Sequence, residues 1–322
     1  MENFELIQPY YSELKSPHKI YRSRIDKERY YFTIINNEIL RVPSVTTILD
    51  ATLPVEDWLI RWIARWGYER AMEKKVQAGH YGTLFSLCVA EFLKNKSFDL
   101  ETIPLRIQYY REENNIDFPT DFWDYKLRED LYSLACFFAD YQFKPLAIEL
   151  PLVSKTHLFA GTIDAFGLMR TGTGVNGKIL KKDIVYNPDG SVKEDKTKIS
   201  YVIIDWKTGR HGFYRSHEAQ LHFYKLLLIE NFPDLANKNI LLYNWAPKEW
   251  INPDDQKYTI KDQTESNEKD KILHYLQIFK IDEKQKDFTF KKIEGVLNLG
   301  EVNGNLKTLT YADLVREKLE VL

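Results

Sequence analysis

The chain has 322 residues, 44% hydrophobic and 29% charged, the balance of a folded globular protein of one large or two modest domains. A formal net charge of −2 argues against a protein that coats duplex nucleic acid through bulk positive charge. Two cysteines are too few for a four-thiolate zinc site or an iron–sulfur cluster. Those two, Cys88 and Cys136, sit among apolar residues and read as core thiols in a reducing compartment. Met1 to Tyr10 has no apolar core of a signal peptide, and no apolar run approaches the ~20 residues that span a bilayer, so a cytoplasmic protein without membrane contact is expected.

In chain order, Tyr30 to Ile35 reads as a strand, followed by the turn pair Asn36-Asn37. Ser44, just before Val45, is a candidate helix N-cap. Residues 55 to 145 read as largely helical. Trp58, Leu59, Trp62, Ile63 and Trp66 recur at spacings of three and four. A second helix from about Gly82 to Lys94 sets Leu84, Leu87, Cys88 and Phe92 on one stripe, and a third covers about Trp123 to Gln142, ending before Pro145. Asn114 to Thr120 is a loop.

The period then changes. Leu146 to Val153 and Leu158 to Met169 read as strands, and Tyr201 to Trp206 as a third. Residues 171 to 200 form a polar hairpin insertion that turns at Asn187-Pro188-Asp189-Gly190. A helix from about Ser216 to Asn231 and a strand from Ile240 to Trp245 follow. The expected fold is α/β, a central mixed sheet flanked by helices. Residues 1–145 form its N-terminal strand and helical region, 146–250 the core, and 251–322 a C-terminal extension. That extension carries a charged stretch, a helix running on to Phe279, short strands and a final helix. There is no internal repeat and no glycine-rich phosphate loop, which argues against a nucleotide-driven motor.

Chemistry concentrates at the end of the third strand. Side chains alternate along a strand, so Asp205 and Lys207 share a face with Ile203 and Tyr201, while Trp206 packs opposite with Val202 and Ile204. A lone Asp-x-Lys reads as an ordinary ion pair. Upstream, however, Asp164 alternates with Ile163 and Ala165 on a strand, and downstream Gln220 and Tyr224 stand at i and i+4 on one helix face, with Leu221 and Leu228 on another, core-facing stripe. Two carboxylates on neighbouring strands suit a hard divalent cation, and a lysine beside them suits a water or phosphate oxygen.

Gly161-x-x-Asp164, Asp205-x-Lys207-Thr208-Gly209 and Gln220-x-x-x-Tyr224 together resemble the RecB-like branch of the PD-(D/E)XK nucleases, over about residues 146 to 245. The resemblance implies a restriction-endonuclease-like core that hydrolyses DNA. It implies Mg2+ or Mn2+ held by Asp164, Asp205 and the main-chain carbonyl of Trp206, with Lys207 assisting the attacking water. Gln220, Tyr224 and Thr208 then place the substrate, and Glu149 on the preceding strand is a further carboxylate beside the metal or an edge acid. No nucleotide and no iron–sulfur cluster are expected. The preferred role is a stand-alone exonuclease of phage type, in the host cytoplasm if phage-encoded, working with recombination or replication proteins. Rival roles are a weakened nuclease fold kept as a DNA-binding module, and a structure- or sequence-specific endonuclease.

Upstream, Val42-Pro43-Ser44-Val45-Thr46 is similar to a segment near the start of phage-type members, and Gly82-Thr83-Leu84-Phe85-Ser86 is similar to the family's Gly-Thr-x-x-His helix start. Ser86 stands where the family places a metal-binding histidine. His80 and Glu91 are the nearby replacements, and each also reads as an ordinary surface or capping side chain. His157, His211, His217 and His222 show no metal-ligand spacing. The lysines at 181, 182 and between 193 and 198 read either as a track for a phosphate backbone or as a solvated hairpin.

Overall fold

The computed structural model describes residues 5–25, 28–35, 38–209, 212–249, 257–283, 289–294 and 305–310. The chain opens with β1 (Glu5–Ile7), β2 (Tyr11–Ser12), β3 (Ile20–Ile25), β4 (Glu28–Ile35) and β5 (Glu38–Pro43). Four of them form an antiparallel sheet in the order β1-β3-β4-β5. Only Tyr30 to Ile35 of β4 is conspicuous in the sequence, because β3 and β5 mix charged with apolar positions and carry little period-2 contrast.

Ser44 caps α1 (Val45–Thr52): its hydroxyl accepts from the Thr47 N–H at 2.9 Å. Then come α2 (Asp57–Trp66), α3 (Tyr68–Asn95), α4 (Ile103–Glu113) and α5 (Trp123–Tyr141). Helix α3 starts at Tyr68, fourteen residues before Gly82, where the sequence places its start. Its first half is mostly polar and solvent-facing, so no apolar stripe announces it. Leu87 is a correction: it is 39% exposed whereas Leu84 and Cys88 are buried. The buried face runs through Tyr81, Leu84, Phe85, Cys88 and Val89, and at 100° per residue Leu87 falls outside it.

The remaining elements are β6 (Lys144–Ser154), β7 (Phe159–Thr171), β8 (Ile184–Tyr186), β9 (Val192–Asp195), β10 (Lys198–Trp206), α6 (Arg215–Asn231), β11 (Ile240–Pro247), β12 (Tyr258–Asp262), α7 (Ile272–Glu283), β13 (Thr289–Glu294) and β14 (Asn305–Thr310). The main sheet runs β12-β11-β10-β7-β6-β2. Strands β10 and β11 are parallel with α6 as their crossover, and the other pairs are antiparallel. The fold is therefore mixed α/β with a central mixed sheet flanked by helices, as expected. Strands β8 and β9 form the hairpin within the insertion, and β13 pairs with β14. The final helix expected in the tail lies outside the described residues.

Two apolar layers sandwich the sheet. One joins α3, α4 and α5 to Ile148, Ala165, Val202, Ile204, Trp206 and Trp245. The other joins α1, α6 and α7 to Ala147, Leu150, Ile163, Phe166, Ile203 and Leu242. The alternation along β10 is thus the expected one, and Asp205 and Lys207 belong to the α6 side.

Alternation fails at one place. Ile163 and Ala165 flank Asp164 yet pack into opposite layers, and so do Ile148 and Leu150 around Glu149. The ladder pairs Ile148 with Ala165 and Leu150 with Ile163 but does not pair Glu149 with Asp164. Glu149 has a left-handed φ of 52°, which turns the strand over within one residue. Asp164 therefore does not sit on a regular strand as the sequence suggests. It sits at a dislocation of the pleat.

Candidate active site

Three elements meet at the end of β10. Lys207 donates from Nζ to Asp205 Oδ1 at 2.6 Å and to Gln220 Oε1 at 3.0 Å. Gln220 in turn donates from Nε2 to the Tyr224 hydroxyl. Strand β7 supplies Asp164, whose Oδ2 accepts from the Trp206 N–H at 3.1 Å. The structure thus brings Asp164, Asp205, Lys207, Gln220 and Tyr224 together.

Helix α6 reaches this place because it lies flat between the sheet and helices α1 and α7. Six consecutive residues, Ala219 to Tyr224, are buried, so α6 has no separate polar stripe. This corrects the expectation that Gln220 and Tyr224 sit apart from a core-facing stripe of Leu221 and Leu228: Tyr224 packs in the same layer as both leucines.

Asp205 is fully buried and both of its oxygens are engaged. Its second partner is Asn244, the residue beside it in the parallel pair with β11, which donates from Nδ2 to Oδ2 at 2.8 Å. Gln263 backs Asn244, donating from Nε2 to Oδ1 at 3.2 Å. Sequence reasoning missed both amides. The signal was a lone asparagine inside the apolar run Ile240 to Trp245, since a buried amide needs partners.

The Asp164 carboxyl is held well above the usual carboxylate range, first by burial and then by the charges of Asp205 and Glu149; Lys207 and the Trp206 N–H pull the other way. Glu149 therefore belongs to the same electrostatic cluster. Trp206 presents its N–H to Asp164, and in an extended strand the carbonyl of a residue points to the same edge as its N–H. Burial and then the charges of Asp164 and Asp205 push the Tyr224 hydroxyl far above its ordinary value, so it stays protonated.

Thr208 is gripped from the other face of the sheet. Its carbonyl accepts from Lys126 Nζ at 3.0 Å, and Lys126 also pairs with the buried Asp130 and lies over the Tyr81 ring, 4.0 Å from its centroid. A side chain on Gly82 would lie 3.8 Å from Thr208 Oγ1, so α3 packs against this segment. Lys126 carried no sequence signal, because the contact spans 82 residues.

The other candidates are committed elsewhere. His80 meets the Tyr110 hydroxyl at 3.2 Å and packs against Phe118. Glu91 forms a fork with Arg106 of α4. Both side chains are thus tied to α4. Ser86 itself is buried in α3 beside Phe85, whose ring stacks on Trp245. His222 is bonded to Ser266, and the His157 N–H donates to Ser154. His211 lies outside the described residues. Arg170 ties β7 to Asp195 of the hairpin, and Lys196 pairs with Glu194, so part of the hairpin charge is neutralised within the insertion.

Among the described residues no group of three or more His, Cys, Asp or Glu side chains is arranged to hold a metal ion. No helix among them is long and apolar enough to cross a membrane. No family model and no curated protein matches the chain.

Proposed function

We propose that the chain is a metal-dependent nuclease of the PD-(D/E)XK type that hydrolyses DNA phosphodiester bonds at Asp164, Asp205 and Lys207. The observation that carries this reading is the junction of β7, β10 and α6, where Lys207 is held between Asp205 and Gln220 beside Asp164.

The donors suit Mg2+ or Mn2+. They are carboxylate oxygens, and Asp164, Asp205 and Glu149 together exceed what Lys207 balances. Such ions take only one or two protein carboxylates and complete their shell with water and substrate, so a closed cluster of ligands is not required. When bound, the ion would offset charge on the scissile phosphate.

The chain's own residues do the positioning. An ammonium has three donors. Asp205 and Gln220 take two from Lys207, which leaves one for the attacking water or a phosphate oxygen. Tyr224 fixes the Gln220 amide, and Asn244 fixes the outer oxygen of Asp205. Lys126 holds the backbone at Thr208 so that Lys207 keeps its aim.

The test is Mg2+-dependent digestion of linear DNA by purified Asp205→Asn and Lys207→Met proteins, with folding checked by thermal melting. Each variant is expected to lose about 100-fold or more, the usual cost of removing a preorganised group at such a site. Wild-type rates in both folded variants would refute the reading. An exonuclease also leaves closed circles intact, whereas an endonuclease cuts them. Ser86 in the histidine position favours a second reading, a DNA-binding module; DNA binding without cleavage under Mg2+ or Mn2+ would establish it.

A further inference from the structure

Helix α2 presents a row of tryptophans that the fold covers only in part: Trp58 is exposed, and Trp62 and Trp66 are half-buried. Trp58, Trp62 and Trp66 recur every four residues, about 6 Å apart along the axis. None of the ten residues of α2 is buried, and Trp58 is 40% exposed. A stripe of this kind normally closes against the core.

Cations surround the row. Arg65, Arg70 and Lys74 gather on the Trp66 ring at 5.9, 4.9 and 4.3 Å from its centroid. Arg61 is exposed on the same helix. None of these four makes an ion pair among the described residues, although the chain as a whole is slightly acidic. Glu56, Asp57, Glu69 and Glu73 are exposed on the same segment, so the positive charge is local to the Trp66 ring.

The row leads to the candidate active site. Trp58 stacks on Tyr214, with centroids 4.3 Å apart and planes 16° from parallel. Tyr214 caps α6 and meets the His217 ring edge-on at 5.1 Å. His217 is close enough to Lys207 for that charge to act on it. Trp58 is therefore linked through Tyr214 and His217 to the N-terminal end of α6, the helix that carries Gln220.

We infer that this face binds single-stranded nucleic acid on its way to Lys207. Unpaired bases stack on Trp58 and Trp66, and the phosphates follow Arg61, Arg65, Arg70 and Lys74. Sequence-tolerant strand binding combines exposed aromatic rings with cations in this way, whereas bases inside a duplex have no free faces to offer. The direction of the strand rests on the nuclease reading; the binding does not.

The experiment is fluorescence anisotropy with a labelled oligothymidylate of about 20 nucleotides, long enough to cover such a platform, in EDTA so that no cleavage occurs. The wild-type protein is expected to bind it more tightly than a duplex of equal length. Trp58→Ala and Trp66→Ala are each expected to weaken binding about 5- to 100-fold, the range for losing one stacked base. The double charge reversal Arg70→Glu with Lys74→Glu, which leaves every ring in place, is expected to flatten the salt dependence. Wild-type affinity in the tryptophan variants and in the charge-reversal variant overturns the inference. So does a dimer that Trp58→Ala converts to monomer with strand binding unchanged, because the face would then join two copies. The wild-type protein separates the two readings: failed Mg2+-dependent cleavage with normal strand binding refutes only the nuclease, and normal cleavage with indifferent tryptophan variants refutes only the platform.

Discussion

Gly161 leaves room for Tyr224. A β-carbon at position 161 would lie 3.0 Å from Tyr224 Cε1, 3.0 Å from Val45 Cγ2 and 3.2 Å from Leu227 Cδ1. The glycine of the Gly161-x-x-Asp164 segment thus serves packing: it lets α6 come down on β7 far enough for Gln220 to reach Lys207. Gly161→Ala is expected to cost about 1–3 kcal/mol, the range for overpacking a core. It should also lower cleavage beyond what the stability loss explains, because Tyr224 and Gln220 move together. Urea melts and rates well below the melting point check both, and an unchanged melt would mean that the neighbours absorb the methyl.

Asn244 is the second expectation. Replacing it with alanine leaves Asp205 Oδ2 and Gln263 Nε2 buried without their present partner. The expected loss is about 1–3 kcal/mol, that of an unsatisfied buried polar group. Asn244→Asp should lose more at neutral pH, since it sets a like charge against Asp205. A common urea midpoint for wild type and both variants would exclude this role.

His217 sets the third, on acid. Burial, and then the charge of Lys207, lowers its pKa from 6.5 to about 3. The unfolded chain therefore takes up this proton below pH ~6.5, while the folded chain resists until about pH 3. Stability must fall with falling pH across that window, with a slope approaching ~1.4 kcal/mol per pH unit for one proton. His217→Gln is expected to flatten the slope. Comparing the two proteins cancels the opposite trend from Asp164, whose raised pKa favours the fold at low pH. Identical pH profiles would contradict the assignment.

Residues that lie on strongly periodic elements are legible in the sequence. Val202, Ile204 and Trp206 alternate cleanly enough to put Asp205 and Lys207 on the opposite face, and Gln220 and Tyr224 are one turn apart on a helix that begins where its residues suggest. Long-range partners were not legible. Asn244 and Lys126 act across 39 and 82 residues, distances at which local pattern says nothing. The N-terminal sheet was nearly invisible, because charged residues on β3 and β5 dilute its alternation. The dislocation at Glu149 was hidden for another reason: a glutamate gives no warning of a left-handed backbone, where glycine or asparagine would.

That backbone sets two demands on position 149 that no single residue meets. A φ of 52° costs a side chain about 1–2 kcal/mol that glycine would not incur. Only a carboxylate, however, adds negative charge next to Asp164. The residue that would relax the backbone and the residue that adds charge beside Asp164 are different here, and the chain carries the second; under the proposed function, position 149 would be a site where durability and activity trade against each other.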